Sequence, residues 1–191
     1  MLLKEKNNLI KELSKKTEIG IVINQDISEN LAKHIYLGIG SNLGNRKKNI
    51  EQAKFKLIEN NVKIIESSSL YESLSWPDPI KPKFLNIVLK VFTSLSSIKL
   101  LNLCKEIEIS LGRKKNVKNS PRECDIDIID FKGKIMSGQI SLPHPLMHNR
   151  NFVLLPLYEL NKAWTHPVTK RHIKKLIFSL SNSDIRSIKQ I

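Results

Sequence analysis

Between Gly112 and Phe131 the chain leaves a helical pattern, crosses a basic loop and enters the run Asp125-Ile126-Asp127-Ile128. Alternation of this kind specifies a strand with one apolar and one polar face, because residues i and i+2 share a face. Ile126 and Ile128 therefore belong to a core, and Asp125 and Asp127 stand side by side on the opposite face. Two carboxylates that close repel, and one pKa rises unless a cation lies between them. Mg²⁺ suits such a pair, being held by one or two carboxylates together with substrate phosphates. Just upstream, Arg113, Lys114, Lys115, Lys118 and Arg122 supply positive charge. Carboxylates for a metal beside arginines for phosphate point to phosphoryl-type transfer. The competing reading is a solvated strand face behind a charged loop, since Asp-x-Asp is a short string.

The flanking segments place this strand in an α+β fold. His34–Ile39 reads as a strand, GSNLGN (40–45) as a turn, and a helix capped by Asn45 follows, with Ile50, Ala53, Leu57 and Ile58 on one face. Val62 to Tyr71 is strand material. Residues 73–83 form a Pro-rich loop whose Trp76 either walls a pocket or folds back onto the core. Leu85, Ile87, Leu89 and Val91 make a second alternating strand, with Asn86 on its other face. A helix capped by Ser97 carries Leu100, Leu103, Cys104, Ile107 and Leu111, and Gly112 ends it. Lys132-Gly133-Lys134 suggests a hairpin into a further strand, Leu154 to Leu160 a helix, and Ile173 to Leu180 a short one, after which the pattern fades. Strands returning by hairpins as well as by helices indicate α+β and not a doubly wound parallel sheet.

Gly38, Gly40 and Gly44 do not make a dinucleotide fingerprint, because Leu43 stands where its third glycine belongs, and no Walker-type Gly-Lys-Ser/Thr occurs. The net charge of +14 permits an anionic ligand without choosing one, since the lysines are spread along the chain. Three of the six arginines, Arg113, Arg122 and Arg150, fall in the motif regions. Cys104 and Cys124 lack metal-type spacing and read as buried, reduced residues. No apolar run approaches the ~20 residues of a membrane span, and Leu2-Leu3 leads straight into Lys4 rather than into a signal sequence. A cytoplasmic protein is expected. Residues 1–33 carry six lysines against five carboxylates, so the basic excess belongs to the main domain. They form an extension of unassigned role, with a short helix around Leu9–Leu13 and a strand around Ile19–Ile23 suggested by pattern.

Four motifs occur in order: GSNLG (40–44), Phe84-Leu85-Asn86, PRxxDxD (121–127) and LPHPxxxxRxF (142–152). Together they resemble the 6-hydroxymethyl-7,8-dihydropterin pyrophosphokinases of folate biosynthesis, over about residues 34–175. The resemblance implies a ferredoxin-like sandwich, a mainly antiparallel sheet with helices packed on it, filling a domain from 34 to 191. It implies a monomeric enzyme that moves pyrophosphate from ATP to the pterin hydroxymethyl group and releases AMP. By position, Asp125 and Asp127 would hold two Mg²⁺ ions, and Arg113, Arg122 and His144 would act in catalysis. Glu108, Lys115, His144 and Arg150 would meet the nucleotide. Phe84 and Phe152 would sandwich the pterin, Asn86 would read its edge, and Ser73 and Trp76 would complete its pocket. The chain departs from better-known members at Asn119, where an aromatic residue is usual before the Pro-Arg, at Lys115 and at Pro145, and its loop is one residue shorter. Other readings are a different Mg²⁺-dependent phosphotransferase or nuclease on the same carboxylates, or a basic nucleic-acid-binding module. The pterin enzyme alone gives Asn86 and the phenylalanine pair a role, with small molecules as partners and neither nucleic acid nor membrane.

Overall fold

The computed structural model describes residues 34–114 and 120–191. The elements suggested before residue 34, and the positions Lys115 and Asn119, lie outside the described residues. Among the described residues six strands form one antiparallel sheet: β1 (Ile35–Ser41), β2 (Lys63–Ser67), β3 (Tyr71–Ser73), β4 (Phe84–Phe92), β5 (Asp125–Phe131) and β6 (Ile188–Gln190), in the order β5-β1-β4-β3-β6, with β2 also on β4. Helices α1 (Arg46–Glu59) and α2 (Ser97–Ser110) cover one face. The other face takes α3 (Asn151–Leu160) and α4 (Ile173–Phe178), and α5 (Asn182–Arg186) leads into β6.

The alternation read from sequence decides the first face. Ile35, Leu37 and Ile39 of β1, Leu85, Ile87, Leu89 and Val91 of β4 and Ile126 and Ile128 of β5 pack against Ile50, Ala53 and Leu57 of α1 and Leu100, Leu103, Cys104 and Ile107 of α2. Each such side chain contributes about 1.5–3 kcal/mol on burial. Ile58, expected on the same stripe, is 55% exposed. Both cysteines are free and buried, and burial pushes their thiols up to about 12. Asn45 caps α1 by accepting from Lys48 N, but α2 is capped by Ser96, which accepts from Lys99 N, so Ser97 is its first residue and not its cap. Gly112 ends α2 with φ +107°, a left-handed conformation that glycine adopts without strain.

Three other expectations are corrected. The segment from Val62 to Tyr71 is two strands, because Ser68 interrupts the ladder: its N–H donates to Val88 O, while its hydroxyl, in place of a carbonyl, accepts from Val88 N. The Lys132–Gly133 turn does not lead into a hairpin strand: residues 134–142 make only the isolated bridge Met136↔Leu142. The C-terminal tail does not fade: β6 pairs with β3, Ser73 opposite Ile188 and Tyr71 opposite Gln190. No helix among the described residues is long and apolar enough to cross a membrane.

The second face is apolar at one end and open at the other. Tyr36, Val88 and Ile129 lie under Leu154 and Leu157 of α3 and Trp164, Ile173 and Leu176. The register shift from Leu37↔Ile128 to Tyr36↔Asp130 is a bulge that brings Ile129 and Asp130 to this face together. The buried Asp130 is satisfied by Trp164 Nε1 at 2.9 Å and Gly133 N at 2.8 Å. The C-terminal end of α3 is pinned by Glu159, whose carboxylate accepts from Ser69 N, Ser69 Oγ and Tyr71 OH, each at 2.9 Å. Burial first, then the bond to Glu159 and its charge, push the Tyr71 phenol up to about 12. An unfolded tyrosine ionises near ~10, so this stabilisation is complete below about pH 10 and is lost as pH rises towards 12. We expect melting temperature to fall across that window, and to fall less in Tyr71→Phe, which has no phenol to ionise. Identical falls in the two proteins would remove Tyr71 from the account.

Candidate active site

The open end of the second face continues the same alternation. On β1 the face reads Tyr36, Gly38, Gly40; on β4 it reads Val88, Asn86, Phe84; on β5 it reads Ile129, Asp127, Asp125. Gly38 pairs with Val88 on one side and Asp127 on the other, and Gly40 pairs with Asn86 and Asp125. The two glycines form a floor between the carboxylates and the amide. A Cβ on Gly40 would lie 3.1 Å from Asn86 Oδ1 and 3.2 Å from Phe84 Cδ1, and one on Gly38 would lie 3.2 Å from Ile129 Cδ1. Contacts that short force neighbours to move, so a side chain at either position would crowd the cleft.

Above this floor the cleft is walled by Ser73, Trp76, Phe84 and Asn86 at one end and by Arg122, Asp125, Asp127, His144 and Arg150 at the other, with Phe152 and Val153 from α3 across the top. Ten of the thirteen residues expected at a site thus line one cleft. Glu108 and Arg113 lie behind it, and Lys115 is outside the described residues.

The carboxylates are neutralised by arginines. Arg113 Nη1 lies 2.6 Å from Asp125 Oδ1, and Arg122 Nη2 bonds Asp125 Oδ2. Burial alone would raise the Asp125 carboxyl, but the charges of Arg122 and Arg113 outweigh it and hold it below its ordinary value. Arg150 Nη1 lies 3.3 Å from Asp127 Oδ2, and His144 Nε2 lies 3.7 Å from the same oxygen. His144 Nδ1 accepts from Leu146 N, which puts the hydrogen of the neutral ring on Nε2. Burial, reinforced by Arg150 and opposed by Asp127, lowers its pKa, so the ring is neutral at pH 7.

Glu108 is the hidden member of the set. It is 1% exposed, accepts from Ile126 N at 2.7 Å, and pairs with Arg113 at 2.7 Å and Lys105 at 3.1 Å. Burial pushes its carboxyl up, and the Ile126 N–H, Lys105 and Arg113 pull it part of the way back. It ties the start of β5 to α2 and orients the guanidinium that reaches Asp125.

The aromatic end is pre-set by hydrogen bonds. Asn86 Nδ2 donates to Ser73 Oγ at 3.0 Å and Tyr71 O at 3.4 Å, which fixes its amide orientation and leaves Oδ1 over Gly40. Guanidinium groups rest on the rings: Arg122 lies 5.1 Å from the Phe84 centroid, and Arg150 lies 5.2 Å from Trp76 and 5.6 Å from Phe152. Trp76 is therefore a wall of the cleft and not a core residue, although it is 51% exposed.

Sequence reasoning missed Asn42, which it read as part of a turn. Its Oδ1 accepts from Arg122 N at 2.7 Å, its N–H donates to Arg122 O at 3.1 Å, and its Nδ2 donates to Pro82 O at 3.0 Å. One side chain thus brackets the arginine loop to the Pro-rich loop. Its place directly after β1, inside GSNLG, was the available signal.

A family model, 7,8-dihydro-6-hydroxymethylpterin-pyrophosphokinase (HPPK), matches residues 36–162, which hold every residue of this cleft. The chain belongs to the HPPK family. The 2-amino-4-hydroxy-6-hydroxymethyldihydropteridine pyrophosphokinase of Aquifex aeolicus is 39% identical over 142 residues, covering 74% of this chain and 88% of that protein. The Bacillus subtilis protein of the same name is 38% identical over 131 residues, 65% of this chain and 76% of its own. Among solved structures, the wild-type HPPK-DHPS of Plasmodium falciparum superposes with a TM-score of 0.58 at 16% identity. That match covers 75% of this chain and 44% of the other, which shows a shared HPPK-type fold within a longer protein.

Glu108→Gln keeps the shape and the bond from Ile126 but removes the charge that faces Arg113 and Lys105. We expect this HPPK variant to lose about 1.5–3 kcal/mol in denaturant unfolding, the range for a hydrogen bond to a charged group. An unchanged midpoint would mean that Asp125 alone satisfies Arg113.

Proposed function

We propose that this cleft transfers the pyrophosphoryl group of ATP to 6-hydroxymethyl-7,8-dihydropterin, the HPPK reaction of folate biosynthesis, with one substrate at each end. One observation carries the reading. A cluster of carboxylates and arginines and a slot of aromatic rings with a fixed amide meet over a glycine floor. Neither end alone would join a polyphosphate to a flat heterocycle.

The pterin lies between Phe84 and Phe152, with Trp76 at its side. Asn86 reads its edge as an acceptor through Oδ1, both Nδ2 hydrogens being given to Ser73 and Tyr71. Offset stacking contributes about 0.5–1.5 kcal/mol per ring pair beyond area burial. Because Arg122 and Arg150 lie over these rings, both guanidiniums leave them as the pterin stacks. They turn to the nucleotide, where Arg122 and Arg113 meet the transferring phosphates and Arg150 and His144 the remainder, the latter donating from Nε2. Glu108 steadies Arg113 from behind, and Lys115 is assigned to the nucleotide. The hydroxymethyl oxygen attacks the β-phosphorus and gives its proton to solvent, the bond from that phosphorus to the oxygen shared with the α-phosphate breaks, and AMP departs.

Asp125 and Asp127 fit Mg²⁺: both are hard oxygen donors, adjacent on one strand face and turned into the cleft. We assign them two ions, which when bound would offset the charge developing on the attacking and leaving oxygens. No group of three or more His, Cys, Asp or Glu side chains among the described residues could hold a metal ion. With Asp125 and Asp127 as the protein's donors, substrate phosphate oxygens and water would supply the other ligands. We propose a monomeric, cytoplasmic enzyme with ATP as its co-substrate.

The decisive assay is AMP formation from ATP and Mg²⁺, with and without the pterin. Pterin-dependent AMP is expected; ADP in its place would mean another phosphotransfer on the same carboxylates. Asp127→Ala should abolish turnover while pterin binding stays measurable by calorimetry, and normal turnover in that variant would refute the metal assignment. Arg122→Ala should lower kcat about 10²–10³-fold, the scale of losing one charge-stabilising contact in the transition state. Pterin affinity should change much less, and equal losses in both would make Arg122 a substrate-positioning residue.

A further inference from the structure

The slot's two walls belong to different elements. Ser73 and Asn86 stand on β3 and β4, whereas Phe152 stands on the first turn of α3. That turn is weakly tied to the rest of its helix, because Pro156 has no N–H to give the Phe152 carbonyl four residues earlier. Nor does Arg150, at its N-cap position, make a side-chain cap.

What holds the turn is the C-terminal segment. The buried Asn151 donates from Nδ2 to Asp184 O at 2.5 Å and to Ser187 Oγ at 3.0 Å, while its Oδ1 accepts from Phe152 N at 2.6 Å. Ser187 Oγ donates to Asp184 O in turn. From there the chain enters β6, which pairs with β3 through Ser73↔Ile188, and Ile191 N closes on Leu70 O at 2.9 Å. Helix α3 is thus tied to β3 at both ends, by Glu159 at its C-terminus and by the 181–191 segment at its N-terminus. Only the second tie bears on the cleft.

We propose that Asn151 is a positioning residue for the pterin: through it, residues 181–191 set the gap between the sheet wall and Phe152. This rests on the assignment of Phe152 to the pterin ring made above. Asn151 touches no substrate and acts through Phe152. Loosening it widens the slot while leaving the carboxylates, arginines and hydrophobic core in place.

The test uses the full chain and the double variant Asn151→Asp/Ser187→Ala. The first change keeps an acceptor for Phe152 N and removes both donors, and the second removes the one hydroxyl a carboxylate could re-engage. Pterin affinity is measured with Mg²⁺ and a non-hydrolysable ATP analogue present, beside nucleotide affinity, melting temperature and the control Phe152→Ala. We expect pterin Kd to rise about tenfold, the size of losing one to two neutral hydrogen bonds, with nucleotide Kd within about twofold. Wild-type pterin affinity in the double variant, with Phe152→Ala impaired, would overturn the role of Asn151 and spare the ring assignment. Unaltered binding in Phe152→Ala would overturn the ring assignment itself. Parallel losses of nucleotide, pterin and melting temperature in the double variant would reduce Asn151 to a structural residue.

Discussion

Two carboxylates held side by side on one strand cannot remain unpaired at the edge of an apolar core, and much of the site follows from that. Asp125 and Asp127 cannot turn away without a one-residue slip that would also expose Ile126 and Ile128. Their charge must be met by cations, which arrive from three directions. Arg113 follows the left-handed turn at Gly112, Arg122 is bracketed by Asn42, and Arg150 enters α3. The arginines that would serve a polyphosphate are thus the same groups that let the strand fold.

The cleft also depends on how one sheet face changes character along its length. At the β1 start, Tyr36, Val88 and Ile129 bury themselves under two helices. Four residues along β1, Gly40 leaves a gap flanked by Asn86 and Asp125. The helices cannot fill it, because α3 begins only at Asn151 and presents Phe152 across the space rather than into it. A core face becomes a site by the loss of two side chains and the exchange of apolar residues for polar ones on the flanking strands.

This explains what could be read from sequence and what could not. β1, β4, β5, α1 and α2 announce themselves, because each has one buried stripe whose period matches its backbone. Asp125, Asp127 and Asn86 stood out as carboxylates and an amide on the opposite face of such stripes, and the arginines by falling in the motif regions beside them. β6 did not, since Ile188-Lys189-Gln190 has no alternation to read and exists as a strand only because β3 offers an open edge. The break at Ser68 was hidden for a related reason: a hydroxyl standing in for a carbonyl depends on where Val88 lies, not on local pattern. Residues 134–142 carry hydroxyl, glycine and apolar groups in a strand-like mixture, yet only Met136 and Leu142 find each other. Asn42 and Asn151 share this opacity, because each works by long-range bonds, and an asparagine near a turn or a helix start is commonplace.

The two ends of the cleft differ in what can be prepared in advance. Asn86 is a neutral dipole, so Ser73 and Tyr71 can fix it with ordinary hydrogen bonds, and a desolvated amide so held is stable with or without a ligand. The phosphate end has no such option. A guanidinium aimed into a half-buried cleft with nothing opposite it would carry a large desolvation cost, and so would a bare carboxylate pair. Each sign must use the other until a substrate brings both a polyanion and its cations. The heterocycle end can therefore be rigid, as the bonds of Asn151 and Asn86 make it. The phosphate end must exchange partners, and its three arginines are well suited to this: they keep their charge whichever partner they hold, and Arg122 and Arg150 can rest on aromatic faces between partners.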